Sequence, residues 1–102
     1  MTSAAIQRAQ KEIQANKIVI FVKGTPLAPQ CGFSASVMDL FNKLGAKYHT
    51  VDILTNPDIR AELPQWSQWP TFPQIFIDGK LIGGCDIAHE MADSGELQKL
   101  IK

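Results

Sequence analysis

The sequence predicts a small α/β fold in which one mixed four-stranded sheet carries helices on both faces. Three observations support this fold class. The continuous apolar run from Ile18 to Val22 is typical of a strand buried on both faces. An amphipathic helical pattern separates this run from the next expected strand, which indicates a parallel βαβ unit. Further along, Asp78-Gly79 joins two apolar runs as a hairpin turn, which adds an antiparallel pair.

The first half of the chain alternates helix and strand. A first helix, capped by Thr2 or Ser3, is expected to run to about Gln14, with apolar residues at helical spacing. After the first strand, a loop at residues 24–30 carries two prolines and is therefore stiff. A second amphipathic helix is expected over residues 32–44.

The second half continues the pattern and ends in helices. The expected elements are a strand at 47–51, a helix opened by Asn56-Pro57 and ending near Trp66, hairpin strands at 74–77 and 80–83, a helix capped by Asp86 and ending near Asp93, and a short last helix after Ser94-Gly95.

The composition fits a single domain over residues 1–102, of which 45% are hydrophobic and 20% charged. Ten basic and ten acidic residues give a net charge of zero, which argues against nucleic acid or an anionic membrane as a partner. No apolar run approaches the roughly 20 residues that cross a bilayer. Two cysteines do not indicate a disulfide framework, so we expect a reducing compartment such as the cytoplasm.

Cys31 lies where the second helix should begin, directly after Pro29-Gln30. The backbone N–H groups of Phe33 and Ser34 would point towards its sulfur, and together with the helix dipole they would stabilise a thiolate. Lys23, at the end of the first strand, would add a positive charge. The alternative is a buried and inert cysteine. Cys31 is therefore the candidate nucleophile and the candidate metal ligand.

Ser34 occupies the position at which a dithiol motif has its second cysteine. A mixed disulfide on Cys31 could then not be attacked from within the helix. This shifts the expected chemistry from dithiol exchange to glutathione-dependent reactions or metal binding. Ser34 is also compatible with an ordinary first-turn serine, because the missing thiol matters more than the hydroxyl.

Three further segments carry candidate binding groups. A cis proline in Thr71-Phe72-Pro73 would turn backbone groups outward to pair with an extended peptide, whereas a trans proline would only start a strand. Gly83-Gly84 lets a ligand approach the backbone, where the N–H groups of Cys85 and Asp86 would form an anion site. Arg60 is either an exposed helix charge or a carboxylate clamp.

Several of these residues also have structural interpretations. Asp86 is a plain helix cap, an acceptor for a ligand ammonium, or both, and Cys85 is more often a packing residue than a nucleophile. Phe33 is either a ligand or partner contact or part of the core. Trp66 and Trp69 are expected to pack the loop that supports Thr71 to Pro73, with a partner surface as the alternative.

Taken together, these segments resemble the monothiol glutaredoxins of the Cys-Gly-Phe-Ser class over nearly the whole chain. The matching segments are Lys23 to Pro26, Pro29, Cys31 to Ser34, Val51 to Leu54, Asp58 to Arg60, Trp69 to Gln74, Gly79 and Ile82 to Asp86. One four-residue motif would be weak evidence, but this ordered set is specific. The resemblance implies a thioredoxin-like fold, which agrees with the element order above.

The resemblance further implies that glutathione lies along a groove, with its sulfur facing Cys31. Lys23 and Arg60 would hold its glycyl carboxylate. The backbone at Phe72, beside a cis proline, would pair with its cysteinyl unit. The backbone at Cys85, together with Asp86, would bind the γ-glutamyl end. The candidate glutathione-binding residues are Lys23, Arg60, Thr71, Phe72, Pro73, Gly84, Cys85 and Asp86.

Members of this class bind a [2Fe-2S] cluster between two monomers, and each monomer supplies its active-site cysteine and one glutathione. By resemblance, two copies of Cys31 and two glutathiones would complete the four thiolates that such a cluster needs. The implied partners are a second copy of the chain, recipient iron–sulfur apoproteins and a BolA-type protein.

Other functions remain open at this point. One alternative is a glutathione-dependent oxidoreductase that removes glutathione from protein mixed disulfides, with weak activity expected. Another is a regulatory module in which a partner protein replaces one subunit. A peroxidase ranks last, because no arginine lies near Cys31 in the sequence.

Overall fold

The computed structural model describes residues 2–102, which form one mixed sheet between two helical layers. The elements are α1 (Ala4–Ala15), β1 (Ile18–Val22), α2 (Gly32–Lys43), β2 (His49–Asp52), α3 (Pro57–Ser67), β3 (Gln74–Ile77), β4 (Lys80–Gly83), α4 (Cys85–Ser94) and α5 (Glu96–Leu100). Within residues 2–102, no helix combines the length and apolar character required to span a membrane.

The sheet has the strand order β2-β1-β3-β4, which confirms the predicted mixed four-stranded architecture. β1 pairs in parallel with β2 and antiparallel with β3, and β3 pairs antiparallel with β4. Helices α1 and α3 contact each other on one face, while α2, α4 and α5 pack on the other. The helix between β1 and β2 supplies the crossover that a parallel pair requires.

The central strand β1 builds both halves of the core. Val19 and Phe21 face the cluster under α1 and α3, whereas Ile18, Ile20 and Val22 face the cluster under α2, α4 and α5. Successive side chains of a strand point to opposite faces of the sheet. A strand that is buried on both faces therefore needs apolar residues at every position, as in β1.

Two expected boundaries differ from the structure by more than one residue. β2 covers residues 49–52 instead of 47–51, because its parallel register carries it to Asp52, opposite the last residue of β1. The expectation that Asp86 caps α4 is wrong. Gly84 occupies the N-cap in an extended conformation, and Asp86 lies inside the first turn, where the helix dipole favours its negative charge.

The loop between β1 and α2 is closed by its own backbone. The Gln30 N–H donates to the Lys23 carbonyl over 2.9 Å, and the Ala28 N–H donates to Thr25 over 3.1 Å. The carboxylate of Asp52 anchors the start of this loop by accepting from the Gly24 N–H over 2.9 Å. The stiffness expected from its prolines is therefore reinforced by hydrogen bonds that hold the chain leading to Cys31.

Gly24 is required at the start of this loop. Its φ is +94°, and a Cβ there would lie 2.5 Å from the Ala28 carbonyl oxygen and 2.7 Å from the Gln30 nitrogen. Both neighbours are backbone atoms, so the loop itself would have to move. Gly45 has a comparable φ of +70° but nothing within 4 Å of the same position.

We expect Gly24→Ala to lower the free energy of unfolding by about 3 kcal/mol, because steric overlap adds to the cost of a left-handed backbone. Gly45→Ala carries only the conformational cost, about 1 kcal/mol. Urea denaturation of both variants measures the difference. Equal losses would show that the close contacts at Gly24 relax freely.

Candidate functional site

A groove of about 610 Å³ lies where β1 ends and where β3 and α4 begin. Cys31 and the eight candidate glutathione-binding residues named above all line this groove, and they are Lys23, Cys31, Arg60, Thr71, Phe72, Pro73, Gly84, Cys85 and Asp86. Its remaining lining residues are Phe33, Pro64, Trp69, Pro70 and Ile87. The volume falls in the range of about 300 to 1,000 Å³ that is usual for small-molecule sites.

Cys31 is the N-cap residue of α2 and is partly exposed. The pKa of its thiol is lowered, chiefly by the backbone N–H of Ser34. Partial burial opposes this effect, while the Phe33 N–H, the Ser34 hydroxyl and the charge of Lys23 lower the pKa further. The two backbone N–H groups and the Lys23 charge thus act on the thiol in the predicted direction. The partial exposure of Cys31 does not fit the alternative of a buried cysteine.

Ser34 has a structural role that the sequence reasoning missed. Its side chain is 0% exposed, and its Oγ accepts from the backbone N–H of Lys23 over 3.1 Å. This hydrogen bond joins the end of β1 to the first turn of α2. One signal for it was available, since Ser34 precedes Val37, Met38 and Phe41 on the buried face of the helix.

The peptide bond between Phe72 and Pro73 is cis, which decides between the two alternatives left open by the sequence. Pro73 is buried, Phe72 is partly exposed and Thr71 is exposed. The segment therefore presents Thr71 and Phe72 to the groove while the proline anchors them.

The start of α4 approaches this segment closely. A Cβ on Gly84 would lie 3.2 Å from the Pro73 carbonyl oxygen and 3.3 Å from Trp69 Nε1. A larger residue would push α4 away from the segment, so glycine allows the two walls of the groove to meet. The N–H groups at the first turn of α4 then lie at the groove with the exposed carboxylate of Asp86.

The charged side chains of the groove come from three elements. Lys23 follows β1, Arg60 lies on α3 and Asp86 lies on α4. Arg60 and Asp86 are exposed and Lys23 is partly exposed. Two cations and one carboxylate around a thiolate suit a small ligand that carries both carboxylate and ammonium groups.

The two tryptophans have different surroundings. Trp69 lines the groove beside Gly84, which agrees with the expectation that it supports this loop. Trp66 instead packs against Phe76 of β3, with 6.3 Å between the ring centroids, and stays 40% exposed. Phe33 is 63% exposed at the rim of the groove, so it is a surface residue and not part of the core.

One chain offers few metal ligands. Among residues 2–102, no group of three or more His, Cys, Asp and Glu side chains is placed to hold a metal ion. Cys31 and Cys85 are both free thiols that line the groove. His89 bonds to Ser36 over 2.8 Å and so links α4 to α2. A four-thiolate cluster at this groove therefore requires thiols from other molecules.

Comparison with known proteins gives independent information on the family of this chain. The sequence model of the glutaredoxin family matches residues 18–82. Glutaredoxin 4 of Escherichia coli K12 is 52% identical over 100 residues, covering 98% of this chain and 87% of that protein. A probable monothiol glutaredoxin 2 of Rickettsia felis is 50% identical over 93 residues, covering 91% and 89%. The crystal structure of a buckwheat glutaredoxin–glutathione complex aligns with a TM-score of 0.86 at 37% identity, covering 95% and 86%.

We expect Lys23→Gln to raise the pKa of Cys31, because it removes a positive charge that favours the thiolate. At any pH below the midpoint, the variant holds less thiolate and reacts more slowly with iodoacetamide. The pH profile of the alkylation rate, recorded with Cys85→Ser in the background, gives this midpoint.

Lys80→Gln is the matched control, since Lys80 lies in the hairpin and does not line the groove. It removes the same charge and should leave the midpoint in place. Identical midpoints for Lys23→Gln and the parent protein would remove Lys23 from the thiolate site.

Proposed function

The chain belongs to the glutaredoxin family, and from this premise we propose that it is a glutathione-binding carrier of a [2Fe-2S] cluster. In this proposal two copies hold the cluster as cargo and pass it to recipient iron–sulfur apoproteins. The observation that carries the proposal is the convergence of Cys31 and the eight candidate glutathione-binding residues on one groove.

Glutathione matches the chemistry of the groove. It carries two carboxylates, an ammonium group and a thiol, and the groove offers Lys23, Arg60, Asp86 and the first-turn N–H groups of α4. In the proposed pose, Lys23 and Arg60 hold the glycyl carboxylate, the backbone at Phe72 pairs with the cysteinyl unit, and Asp86 meets the γ-glutamyl end. The glutathione sulfur then lies beside Cys31.

The thiol count favours a shared site. Cys31 is the thiol whose pKa is lowered, and a [2Fe-2S] centre ordinarily takes four thiolates. Two chains with one glutathione each supply that number. Because the glutathione thiolates are not covalently attached, they can leave with the cluster or be replaced by a recipient's cysteines, which suits a carrier.

Partners would approach over an apolar rim. Leu27, at the tip of the loop before Cys31, is 99% exposed, and Phe33, just after Cys31, is 63% exposed. Both flank the proposed cluster ligand in the sequence. A second copy or a BolA-type protein would cover these two side chains.

The expected compartment of the protein is the cytoplasm.

A second candidate function rests on the lowered pKa of Cys31. In a monothiol exchange, the Cys31 thiolate attacks the glutathione sulfur of a protein mixed disulfide and releases the protein thiolate. A second glutathione thiolate then attacks the disulfide on Cys31, which regenerates the thiolate and yields oxidised glutathione. Ser34 cannot take the place of this second thiol, so slow turnover is expected.

We expect Arg60→Gln to weaken the binding of reduced glutathione roughly tenfold, because a charge-assisted contact to a carboxylate is lost. Titration followed by calorimetry gives the Kd. Arg8→Gln makes the same change on α1, where Arg8 pairs with Asp58 over 2.7 Å and does not line the groove. Equal affinities of Arg60→Gln and Arg8→Gln would argue against the carboxylate clamp.

We expect Cys31→Ser to abolish cluster binding without unfolding the chain, while Cys85→Ser keeps most of the cluster. Anaerobic reconstitution with iron, sulfide and glutathione, followed by visible absorption and size-exclusion chromatography, measures both. The parent protein should give a coloured dimer only when glutathione is present.

Two results would contradict these assignments. Full cluster retention by Cys31→Ser would remove it as a ligand, and complete loss in Cys85→Ser would make Cys85 a ligand as well. A colourless monomer from the parent protein would favour monothiol exchange, which a coupled glutathione assay then tests.

A further inference from the structure

Gln74 is one of two polar side chains in residues 2–102 that are completely buried, the other being Ser34. It is the first residue of β3 and directly follows the cis proline. A buried amide is costly unless its oxygen and nitrogen both find partners. An apolar residue would satisfy the burial of this strand position, so the glutamine calls for an explanation.

Both ends of the Gln74 side chain are paired with the segment that precedes the strand. Its Oε1 accepts from the Ser67 hydroxyl over 2.8 Å, and its Nε2 donates to the Trp69 carbonyl over 2.8 Å. Ser67 is the last residue of α3, so Gln74 ties the two ends of the loop at residues 68–73 together. This loop contributes Thr71 and Phe72 to the groove.

Trp69 contacts both Gln74 and the start of α4. Gln74 fixes its carbonyl, and its indole nitrogen lies at the position where a Cβ on Gly84 would be 3.3 Å away. Within residues 2–102, that indole N–H is buried without a hydrogen-bond partner. The contact is therefore one of packing, and the position of the ring depends on how its backbone is held.

We propose that Gln74 is a positioning residue of the groove, which acts through Trp69 to set the distance between the Thr71–Pro73 segment and the start of α4. The inference deepens the proposed glutathione site and rests on it for the ligand. Gln74 does not line the groove, so its influence on binding is indirect. The thiolate of Cys31 is stabilised from α2 and should not depend on Gln74.

The test compares Gln74→Met with Gln98→Met. Methionine keeps the unbranched shape of glutamine and removes both hydrogen bonds. Gln98 is the matched control, because its Nε2 also donates to a carbonyl, that of Ala92 over 2.9 Å, but it lies on α5 away from the groove. Both variants and the parent protein carry Trp66→Phe, so that Trp69 is the single tryptophan in each.

Three measurements are made on each variant. They are the Kd for reduced glutathione, the quenching of Trp69 fluorescence by acrylamide without ligand, and the pH profile of alkylation at Cys31 by iodoacetamide. We expect Gln74→Met to weaken glutathione binding roughly tenfold and to increase quenching, since two buried hydrogen bonds no longer order the loop. The midpoint for Cys31 stays unchanged, and Gln98→Met matches the parent in all three.

Several outcomes would overturn the inference. Unchanged affinity and quenching in Gln74→Met would do so, and so would equal losses in Gln74→Met and Gln98→Met, which indicate general loosening. A shifted midpoint for Cys31 would show that Gln74 supports the whole fold and not this loop.

Two further arms keep the inference and the proposed function separable. If the parent protein fails to bind glutathione, the proposed function fails, and the quenching of Trp69 alone decides the role of Gln74. If Gln74→Met does not fold, Ser67→Ala removes one of the two hydrogen bonds and leaves the bond to Trp69. A smaller loss of affinity, about threefold, is then expected, and parent-like affinity would overturn the inference.

Discussion

The complete burial of the central strand β1 is the constraint on which the other elements depend. Its five residues are 0 to 3% exposed, and both of its edges carry hydrogen-bonded neighbours. Helices α1 and α3 cover one face of the strand, and α2, α4 and α5 cover the other. Both layers are needed, because an apolar face exposed to water would forgo the free energy gained by its burial. The chain leaves β1 at Lys23, so the groove lies at the end of a completely buried strand.

Two buried polar side chains fasten the walls of the groove to this scaffold. Ser34 ties the backbone of Lys23 to the first turn of α2, and Gln74 ties the end of α3 to the loop before β3. The polar atoms of both side chains are hydrogen-bonded to backbone groups or to a neighbouring hydroxyl. Because buried hydrogen bonds are costly to break, they hold the segments that they join in place. The Cys31 sulfur and the loop at residues 68–73 are thus positioned by separate contacts.

Much of the fold was accessible from sequence because it follows local rules, whereas the full set of candidate site residues, Arg60 and Thr71 among them, rested on the family resemblance. The apolar run of β1, the Asp78-Gly79 turn and the helix start at Cys31 carry their own signals. The start of α4 was predicted at the wrong residue. Aspartate is a common N-cap, which favours Asp86 in the sequence, but Asp86 lies in the first turn and the N-cap is Gly84, a residue type less favoured there than aspartate. The roles of Ser34 and Gln74 depend on partners that only the folded chain brings near.

The loop before Cys31 is closed by hydrogen bonds at two levels. Its tip, with Leu27 at the apex, closes on itself through hydrogen bonds between Thr25 and Ala28, and its base is closed separately at Lys23 and Gln30. The Leu27 side chain is 99% exposed and takes no part in either closure. The side chains of Thr25 and Gln30 do take part, because Thr25 Oγ1 accepts from the Ala28 N–H and Gln30 Nε2 donates to the Ala28 carbonyl, each over 3.1 Å. A substitution of Leu27 therefore leaves these hydrogen bonds in place, so this exposed position can vary while the chain that leads to Cys31 is held as before.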